Sequence, residues 1–205
     1  MKSAIILKLV NRSEDATNNE IVVFQKNIGD IRCHRPVAWQ VFKNLPFGDQ
    51  QSFNFSSDFQ VSTKDGWGQP LTKSMDVTNG HRYSLYKDIY GRQLQQSGAS
   101  SHYKTIEIQN NLNKGNILAE LYKGGKLLAK KTHISPKKAA NFRFRHSIWL
   151  GVVQHVNEGE IIPVKVLDAI QNEIYLRGVL SADIILTGNE QTGYQFQLEN
   201  ILFQG

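Results

Sequence analysis

The sequence predicts an all-β protein, and three features of the chain support that class. Apolar and polar residues alternate along short runs, which is the period of a strand with one buried face. Turn residues separate the runs at intervals of roughly 8–15 residues. A stripe with helical spacing is rare. We therefore expect a single antiparallel β-sandwich or jelly-roll-like domain over residues 1–205, with at most one or two short helices.

Most of the predicted strands lie in short runs that are rich in β-branched and aromatic residues. The first two runs, 4–10 and 20–25, flank a polar loop, and the run 37–42 lies between Pro36 and Pro46. The runs that follow are 52–55, 59–63, 82–87, 92–97 and 105–109. With the runs described below, we expect ten to fourteen strands, and no repeat period stands out in the sequence.

Residues 117–132, ILAELYKGGKLLAKKT, give the clearest local prediction. Two apolar-rich runs flank Gly124-Gly125. A pair of glycines can adopt the positive φ angles that a two-residue hairpin turn requires. We therefore predict a β-hairpin.

A second hairpin is predicted for the stretch FRFRHSIWLGVVQHVNEGEII, residues 142–162. From Phe142 to Val152 the apolar residues share one parity, which indicates one face of a continuous strand. The segment NEGE then predicts a turn, with IIPVKVL as the returning strand. On such a strand His146 and His155 point to opposite faces, which argues against a shared metal ion.

The end of the chain combines a helix candidate with strands. Residues 164–176 have a helical apolar stripe and also fit a strand, so both assignments stay open. In YQFQLENILF the apolar positions change parity, which predicts a bulge near Asn200. The tail LENILFQG resembles the Gln-Gly recognition sites of viral proteases, but it continues the strand pattern, and we interpret it as a native final strand.

Composition limits the class of protein. The chain is 40% apolar and 20% charged, as in ordinary globular proteins. The single cysteine, Cys33, excludes an intramolecular disulfide, and no run approaches the roughly 18 apolar residues of a membrane span. The first residues lack the pattern of a signal peptide. We expect synthesis in the cytoplasm, with export by a signal-independent route left open.

Catalytic and cofactor motifs are absent from the sequence. The six histidines show no metal-ligand spacing, and we expect no metal, no cofactor and no catalytic residue. A calcium site at Asp58, Asp65 or Asp76 stays open, because oxygen ligands need no fixed spacing. Cys33 follows Arg32 and lies near Arg35, which could lower its thiol pKa, but a structural thiol is the favoured interpretation.

Two features are candidates for surfaces that bind partners, although a loop tryptophan that folds back on its own domain and a solvated basic face are the favoured interpretations. Trp67 lies between two glycines in a predicted turn, where it could serve as an interface anchor or a ligand platform. The stretch 123–145 is basic and has no acidic residue, and it could dock on an anionic partner. No nucleic-acid-binding motif accompanies it. Its charged residues are Lys123, Lys126, Lys130, Lys131, Lys137, Lys138, Arg143 and Arg145.

Four segments, EIVVFQKN, VAWQVFKN, ILAELYKGGKLLAKKTHISP and SADIILTG, together resemble a family of bacterial all-β proteins of similar length. The resemblance extends over most of the chain and implies a bacterial origin and a single domain. Its motifs are strand and turn patterns, and the family has no established activity. It therefore implies no functional residues.

The sequence favours a non-enzymatic structural or interaction protein that acts through its surface. Self-association into an oligomer or filament is the leading hypothesis, because β-rich edges are natural docking sites for further strands. A lectin-like ligand-binding module that uses Trp67 is the alternative. A pore-forming toxin is less favoured, because its candidate membrane hairpin, 82–109, is heavily charged. An enzyme ranks last.

Overall fold

The structure is a computed structural model that describes residues 4–14, 20–30, 35–170 and 172–204. These residues form sixteen strands and one short helix, which confirms the all-β class. The elements are β1 (Ile5–Asn11), β2 (Glu20–Phe24), β3 (Gln40–Phe42), β4 (Gln50–Phe55), β5 (Phe59–Asp65), β6 (Met75–Val77), β7 (His81–Asp88), β8 (Gly91–Ala99), β9 (Ile106–Asn110), β10 (Ile117–Lys123), β11 (Lys126–Ile134), β12 (Ala139–Phe142), β13 (Ser147–Val153), α1 (Val164–Ala169), β14 (Asn172–Tyr175), β15 (Val179–Asn189) and β16 (Gly193–Phe203).

Residue contacts group the chain into two compact units. Unit 1 comprises Met1–Gln25, Arg35–Ser57 and His146–Gly205, and unit 2 comprises Lys26–His34 and Asp58–Arg145. Contacts within a folded chain do not decide whether two units unfold together. The assignment of residues 1–205 to a single domain therefore stays a prediction.

Unit 1 is a sandwich of two four-stranded sheets. Sheet A has the strand order β16-β15-β1-β4, and sheet B has the order β14-β13-β2-β3. The two layers meet through aromatic rings. Trp39 is buried, and its ring is edge-on to Phe53 and Phe55, with centroid distances of 6.2 and 6.0 Å. Such pairs stabilise a core by about 0.5–1.5 kcal/mol beyond the area they bury.

Unit 2 is also built from two four-stranded sheets. Sheet C has the order β11-β10-β5-β6, and sheet D has the order β12-β9-β7-β8. The predicted Gly124-Gly125 hairpin is confirmed, because β10 and β11 pair antiparallel and both glycines have positive φ. Phe59 of sheet C stacks on Phe144, which follows sheet D, at 6.4 Å.

The two units share one pairing scheme. Sheet A contains a hairpin (β15–β16), a parallel pair (β15–β1) and an antiparallel pair (β1–β4). Sheet D repeats this series with β7–β8, β7–β9 and β9–β12. Sheets B and C also match strand for strand. Strands β1–β4 are therefore equivalent to β9–β12, and β5–β8 to β13–β16, so each unit takes four strands from each half of the chain.

The repeat lies in the strand pairing, since no repeat period stands out in the sequence itself. The sheets are antiparallel except for one parallel pair in each unit. A parallel pair joins strands that are distant in the chain, and the local alternation of residues does not report such partners.

The predicted hairpin over residues 142–162 is wrong. The strand pattern is interrupted after Phe142, and β13 pairs with β2 and β14 rather than with the segment that follows it. The chain leaves unit 2 and enters unit 1 between Arg145 and His146, so the alternation spans two different cores.

The other predictions for the second half of the chain have mixed outcomes. The bulge near Asn200 is confirmed, because the β15–β16 register shifts there and Asn200 has a φ of 48°. The ambiguous segment 164–176 forms the helix α1 and then the strand β14. Sixteen strands exceed the expected ten to fourteen, since strands as short as β6, β12 and β14 leave little periodic signal.

A buried asparagine closes one end of unit 2. Asn110 is the last residue of β9, and its side-chain amide donates to the carbonyl oxygens of Gly115 and Ile134 at 2.9 and 2.8 Å. Its Oδ1 accepts the backbone N–H of Leu112 at 3.1 Å. One side chain therefore joins the end of β9 to the end of β11 and to the loop between β9 and β10.

Unit 1 uses the same device at the equivalent place. Asn11 is the last residue of β1, and its amide donates to the carbonyl oxygen of Leu45 at 2.7 Å, while its Oδ1 accepts the N–H of Ser13 at 2.8 Å. Both asparagines are fully buried. The repeat thus extends from strand order to individual hydrogen bonds.

Replacement of Asn110 by alanine is expected to lower the free energy of unfolding by about 2–4 kcal/mol, because three backbone groups lose their partner. Urea unfolding followed by circular dichroism measures this change. Asn113→Ala is the control, since Asn113 is exposed in the same loop, and it should stay within about 0.5 kcal/mol of the wild type. Equal effects of the two substitutions would contradict the role of Asn110.

Candidate interaction surfaces

One end of unit 2 gathers several strand ends and their loops. Asn110 binds the carbonyl of Ile134, and Ile134 and Asp65 both pair with Ile117. The loop that follows Asp65 and the loop that follows Asn110 therefore lie at the same end of unit 2. We call this surface the basic end and define it by Trp67, Lys87, Ile89, Tyr90, Arg92, Lys114, Lys137 and Lys138.

The β7–β8 hairpin projects from the basic end. Leu85 of β7 lies opposite Asn110, and β7 continues for three more residues to Asp88, which is about 10 Å of extended chain. The tip residues Ile89 and Tyr90 are 90% and 84% exposed. The Asp88 carboxylate accepts the N–H of Tyr90 at 2.8 Å, so the turn is held by its own side chain.

Trp67 occupies a second tip at this end and is 93% exposed. The Asp65 carboxylate accepts the backbone N–H groups of Trp67 and Gln69, each at 2.9 Å. The Gly68 N–H also donates to the Asp65 carbonyl at 3.1 Å. A hydrogen-bonded turn therefore presents the indole to solvent. This exposure is compatible with either predicted role of Trp67, an interface anchor or a ligand platform.

Cations surround these apolar tips. Lys87 and Arg92 lie opposite each other at the base of the hairpin tip, and both are exposed. Lys114, Lys137 and Lys138 are exposed on the adjoining loops. The carboxylates in the two tips, Asp65 and Asp88, bind backbone amides of their own turns. The surface is therefore apolar at its tips and positive around them.

The equivalent end of unit 1 has the opposite charge. In unit 1 the Gly48 N–H donates to the Asn11 carbonyl, and the Asn11 N–H donates to the Asp49 carbonyl. In unit 2 the Lys137 N–H donates to the Asn110 carbonyl, and the Asn110 N–H donates to the Lys138 carbonyl. Asp49 is therefore the structural counterpart of Lys138.

Two further acidic residues lie at that end of unit 1. The N–H of Glu14 donates to the carbonyl of Gly188, and its carboxylate accepts the Asn189 amide at 2.9 Å. Glu190 follows in the tip of the β15–β16 hairpin and is exposed. We call this surface the acidic end and define it by Glu14, Asp49 and Glu190.

The charge difference extends to whole units. Unit 2 contains 17 lysines and arginines against 7 aspartates and glutamates, a formal charge of +10. Unit 1 contains 7 against 11, a formal charge of −4. The mild net charge of +6 therefore results from two units of opposite sign.

The predicted basic stretch 123–145 does not form one surface. Lys137 and Lys138 belong to the basic end, whereas Lys123 lies beside the Gly124-Gly125 turn at the far end of β10. Lys131 forms an ion pair with Asp30 at 2.9 Å. Lys126 and Lys130 are partly buried on β11, the Arg143 guanidinium donates to the Ile28 carbonyl at 3.3 Å, and Arg145 is exposed.

Lys123 is a buried lysine. Its side chain is 3% exposed, and its Nζ lies 5.3 Å from the centroid of the Phe59 ring. Burial lowers the pKa of the Lys123 ammonium from its ordinary 10.5 to about 7. The residue therefore contributes to the core of unit 2 rather than to a solvated basic face.

Ile89, Tyr90, Glu14, Asp49 and Glu190 were not among the residues predicted from the sequence. A signal for the first two exists, since an apolar pair stands in the short connection between the predicted strands 82–87 and 92–97, where polar residues are usual. No local pattern marks the three acidic residues. Their common location depends on the pairing of strands that are far apart in the chain.

Two of the pockets in unit 1 have a volume of about 410 Å³ each. One lies at the acidic end, beside Glu190. The other includes His146, Ser57 and Arg177 and lies near the first residues of β1. The His146 ring is edge-on to Phe55 at 5.3 Å.

Within the described residues, no three His, Cys, Asp or Glu side chains are arranged so that they could hold a metal ion. Asp65 binds backbone amides and Asp76 accepts the Gln60 amide at 2.9 Å. Cys33 and His34 lie outside the described residues. The one helix in the described residues, α1, has six residues and is too short to cross a membrane.

No family model matches the chain, and no curated protein or solved structure matches it significantly. The resemblance to a bacterial family and the bacterial origin that it implies stay predictions.

Replacement of Lys123 by methionine is expected to raise the free energy of unfolding at pH 7 by about 1–3 kcal/mol, because a cation no longer has to be buried. The unfolded chain keeps the ordinary pKa of 10.5, so between pH 7 and 10.5 it binds more protons than the folded chain. Wild-type stability should therefore rise with pH across this window, and the variant should lose that rise.

Thermal unfolding between pH 6 and 10 measures both effects. Lys126→Met is the control, since Lys126 lies opposite Lys123 in the hairpin and is less buried. A wild-type curve and a Lys123→Met curve of equal slope would show that Lys123 titrates normally.

Proposed function

We propose that the protein is a non-enzymatic interaction protein that self-associates head to tail, with the basic end of one copy docked on the acidic end of the next. One observation carries the proposal: structurally equivalent ends of the two units have opposite charges. Opposite charges on matched surfaces steer association and select partners.

The geometry of such a contact determines the type of assembly. The basic end and the acidic end are different surfaces of one chain, so their contact is heterologous. A heterologous contact that closes on itself gives a ring, and one that does not close gives a filament. Each copy offers both surfaces, so association continues until the ends are paired in a closed ring or an open filament.

The apolar tips supply the attraction that charges alone do not. Exposed ion pairs contribute only about 0–1 kcal/mol each. Buried aromatic anchors provide most of the binding energy in protein interfaces. Trp67 and Tyr90 are exposed aromatic side chains on hydrogen-bonded turns, so little conformational freedom is lost when they become buried.

Charge reversal at either end is expected to abolish association, and the combination of the two reversed proteins should restore it. The first variant carries Lys114→Glu, Lys137→Glu and Lys138→Glu, and the second carries Asp49→Lys and Glu190→Lys. Each alone has two ends of like charge and should run as a monomer near 23.3 kDa. An equimolar mixture should form mixed assemblies in which the two variants alternate, because their native ends have opposite charges and so do their reversed ends.

Light scattering after size exclusion, at several salt concentrations, measures these masses, with negative-stain microscopy on the same samples. Lys104→Glu is the control, because Lys104 is exposed and precedes β9, at the opposite end of unit 2. A wild-type monomer at all concentrations and salts would refute self-association. Binding of that monomer to heparin through Lys137 and Lys138 would reassign the basic end to a soluble polyanion.

A lectin-like role is the second candidate, and the exposure of Trp67 favours it. Trp39 is buried and Trp149 is partly buried, so Trp67 alone among the three tryptophans is fully exposed. A sugar that stacks on Trp67 should shift the long-wavelength part of the emission, and Trp67→Phe should remove the shift. Titration with a panel of mono- and oligosaccharides tests this role, and an unchanged spectrum across the panel would exclude it.

A further inference from the structure

The pocket at the acidic end lies between three elements of unit 1. Gln154 follows the end of β13, Ile170 follows α1, and Glu190 belongs to the tip of the β15–β16 hairpin. The Asn172 amide donates to the Tyr194 carbonyl at 3.4 Å and connects β14 to β16. The pocket therefore has walls that hydrogen bonds and strand pairing hold in place.

The lining combines two buried apolar residues, Val153 and Ile170, with two exposed polar residues, Gln154 and Glu190. We call the buried pair the apolar floor and the exposed pair the polar rim. Such a lining suits a side chain with an apolar body and a polar end, which describes tyrosine. The acidic rim residue adds a preference for an occupant with neighbouring cations.

The β7–β8 tip of unit 2 has these properties. Tyr90 offers an aromatic ring with a hydroxyl at its end, and Ile89 adds apolar surface. Lys87 and Arg92 flank the tip, so both can approach Glu190 when the tip enters the pocket. The hairpin extends about 10 Å beyond the end of β9, which allows the tip to reach into a recess.

We infer that the Ile89–Tyr90 tip of one copy inserts into the pocket at the acidic end of the next copy and anchors the head-to-tail contact. This inference rests on the self-association proposed above and adds the anchor and its receptor. The ring of Tyr90 occupies the apolar floor, its hydroxyl meets the polar rim, and Lys87 and Arg92 pair with the acidic residues outside.

Disulfide trapping between two variants tests the contact directly. Both variants carry Cys33→Ser, which removes the single native cysteine. One also carries Tyr90→Cys and the other Gln154→Cys. Under mild oxidation the mixture should yield a covalent heterodimer, because a disulfide requires Cα atoms within roughly 4.4–6.8 Å. Tyr103→Cys replaces Tyr90→Cys in the control, since Tyr103 is 71% exposed and lies at the other end of unit 2.

Affinity measurements give an independent test. Tyr90→Ala should weaken association about 30-fold, which corresponds to a typical anchor residue, with an unchanged dependence on salt. Gln154→Trp should weaken association comparably, because a large side chain at this exposed position fills the pocket without a change in the core. Tyr103→Ala should associate like the wild type.

The outcomes separate this inference from the proposed function. Association that is sensitive to charge reversal but unaffected by Tyr90→Ala and Gln154→Trp, with no trapped heterodimer, would overturn the inference and leave head-to-tail association in place. A wild-type protein that stays monomeric would overturn both.

Discussion

One buried amide, that of Asn110, joins the end of β9 to the end of β11 and to the loop that carries Lys114. Its three hydrogen bonds satisfy backbone groups that would each cost about 1–3 kcal/mol if they were buried without a partner. The β7–β8 hairpin extends about 10 Å beyond the strand end that this side chain occupies. Asn11 makes the corresponding bonds in unit 1. Each amide ties a strand end to a neighbouring loop, which would reduce the entropic cost of the proposed association.

A structural feature could be predicted from the sequence when the residues that determine it lie close together in the chain. The Gly124-Gly125 hairpin and the bulge at Asn200 follow from turn chemistry and parity within about ten residues, and both were predicted. The partner of Trp149 in β13 is Phe24 in β2, which is distant in the chain, and the 142–162 hairpin was predicted wrongly for that reason. Trp67 was recognisable from its flanking glycines. The acidic end was not recognisable from the sequence, because its residues come together only when β1, β4 and β15 pair.

The repeat also shows that the fold does not dictate the sign of a charge. On sheet A, Lys8 of β1 pairs with Asp183 of β15 at 3.1 Å. At the equivalent place on sheet D, Glu107 of β9 pairs with Arg82 of β7 at 2.6 Å, with the polarity reversed. The same architecture accepts either order of charges across its parallel pair. The opposite charges of the two ends are therefore not required for folding, and they remain open to selection for interaction with partners.

The division of each unit between the two halves of the chain has a consequence for biosynthesis. The eight strands of unit 2 occupy one uninterrupted stretch, from β5 to β12, and can all pair once β12 has left the ribosome. Strands β1–β4 emerge earlier, but their partners β13–β16 are the last to be made. At about 5–20 residues per second, β1–β4 wait roughly 5–20 s with unpaired edges. Unit 2 thus completes its core first, and the oldest strands of the nascent chain are the ones most dependent on protection from aggregation.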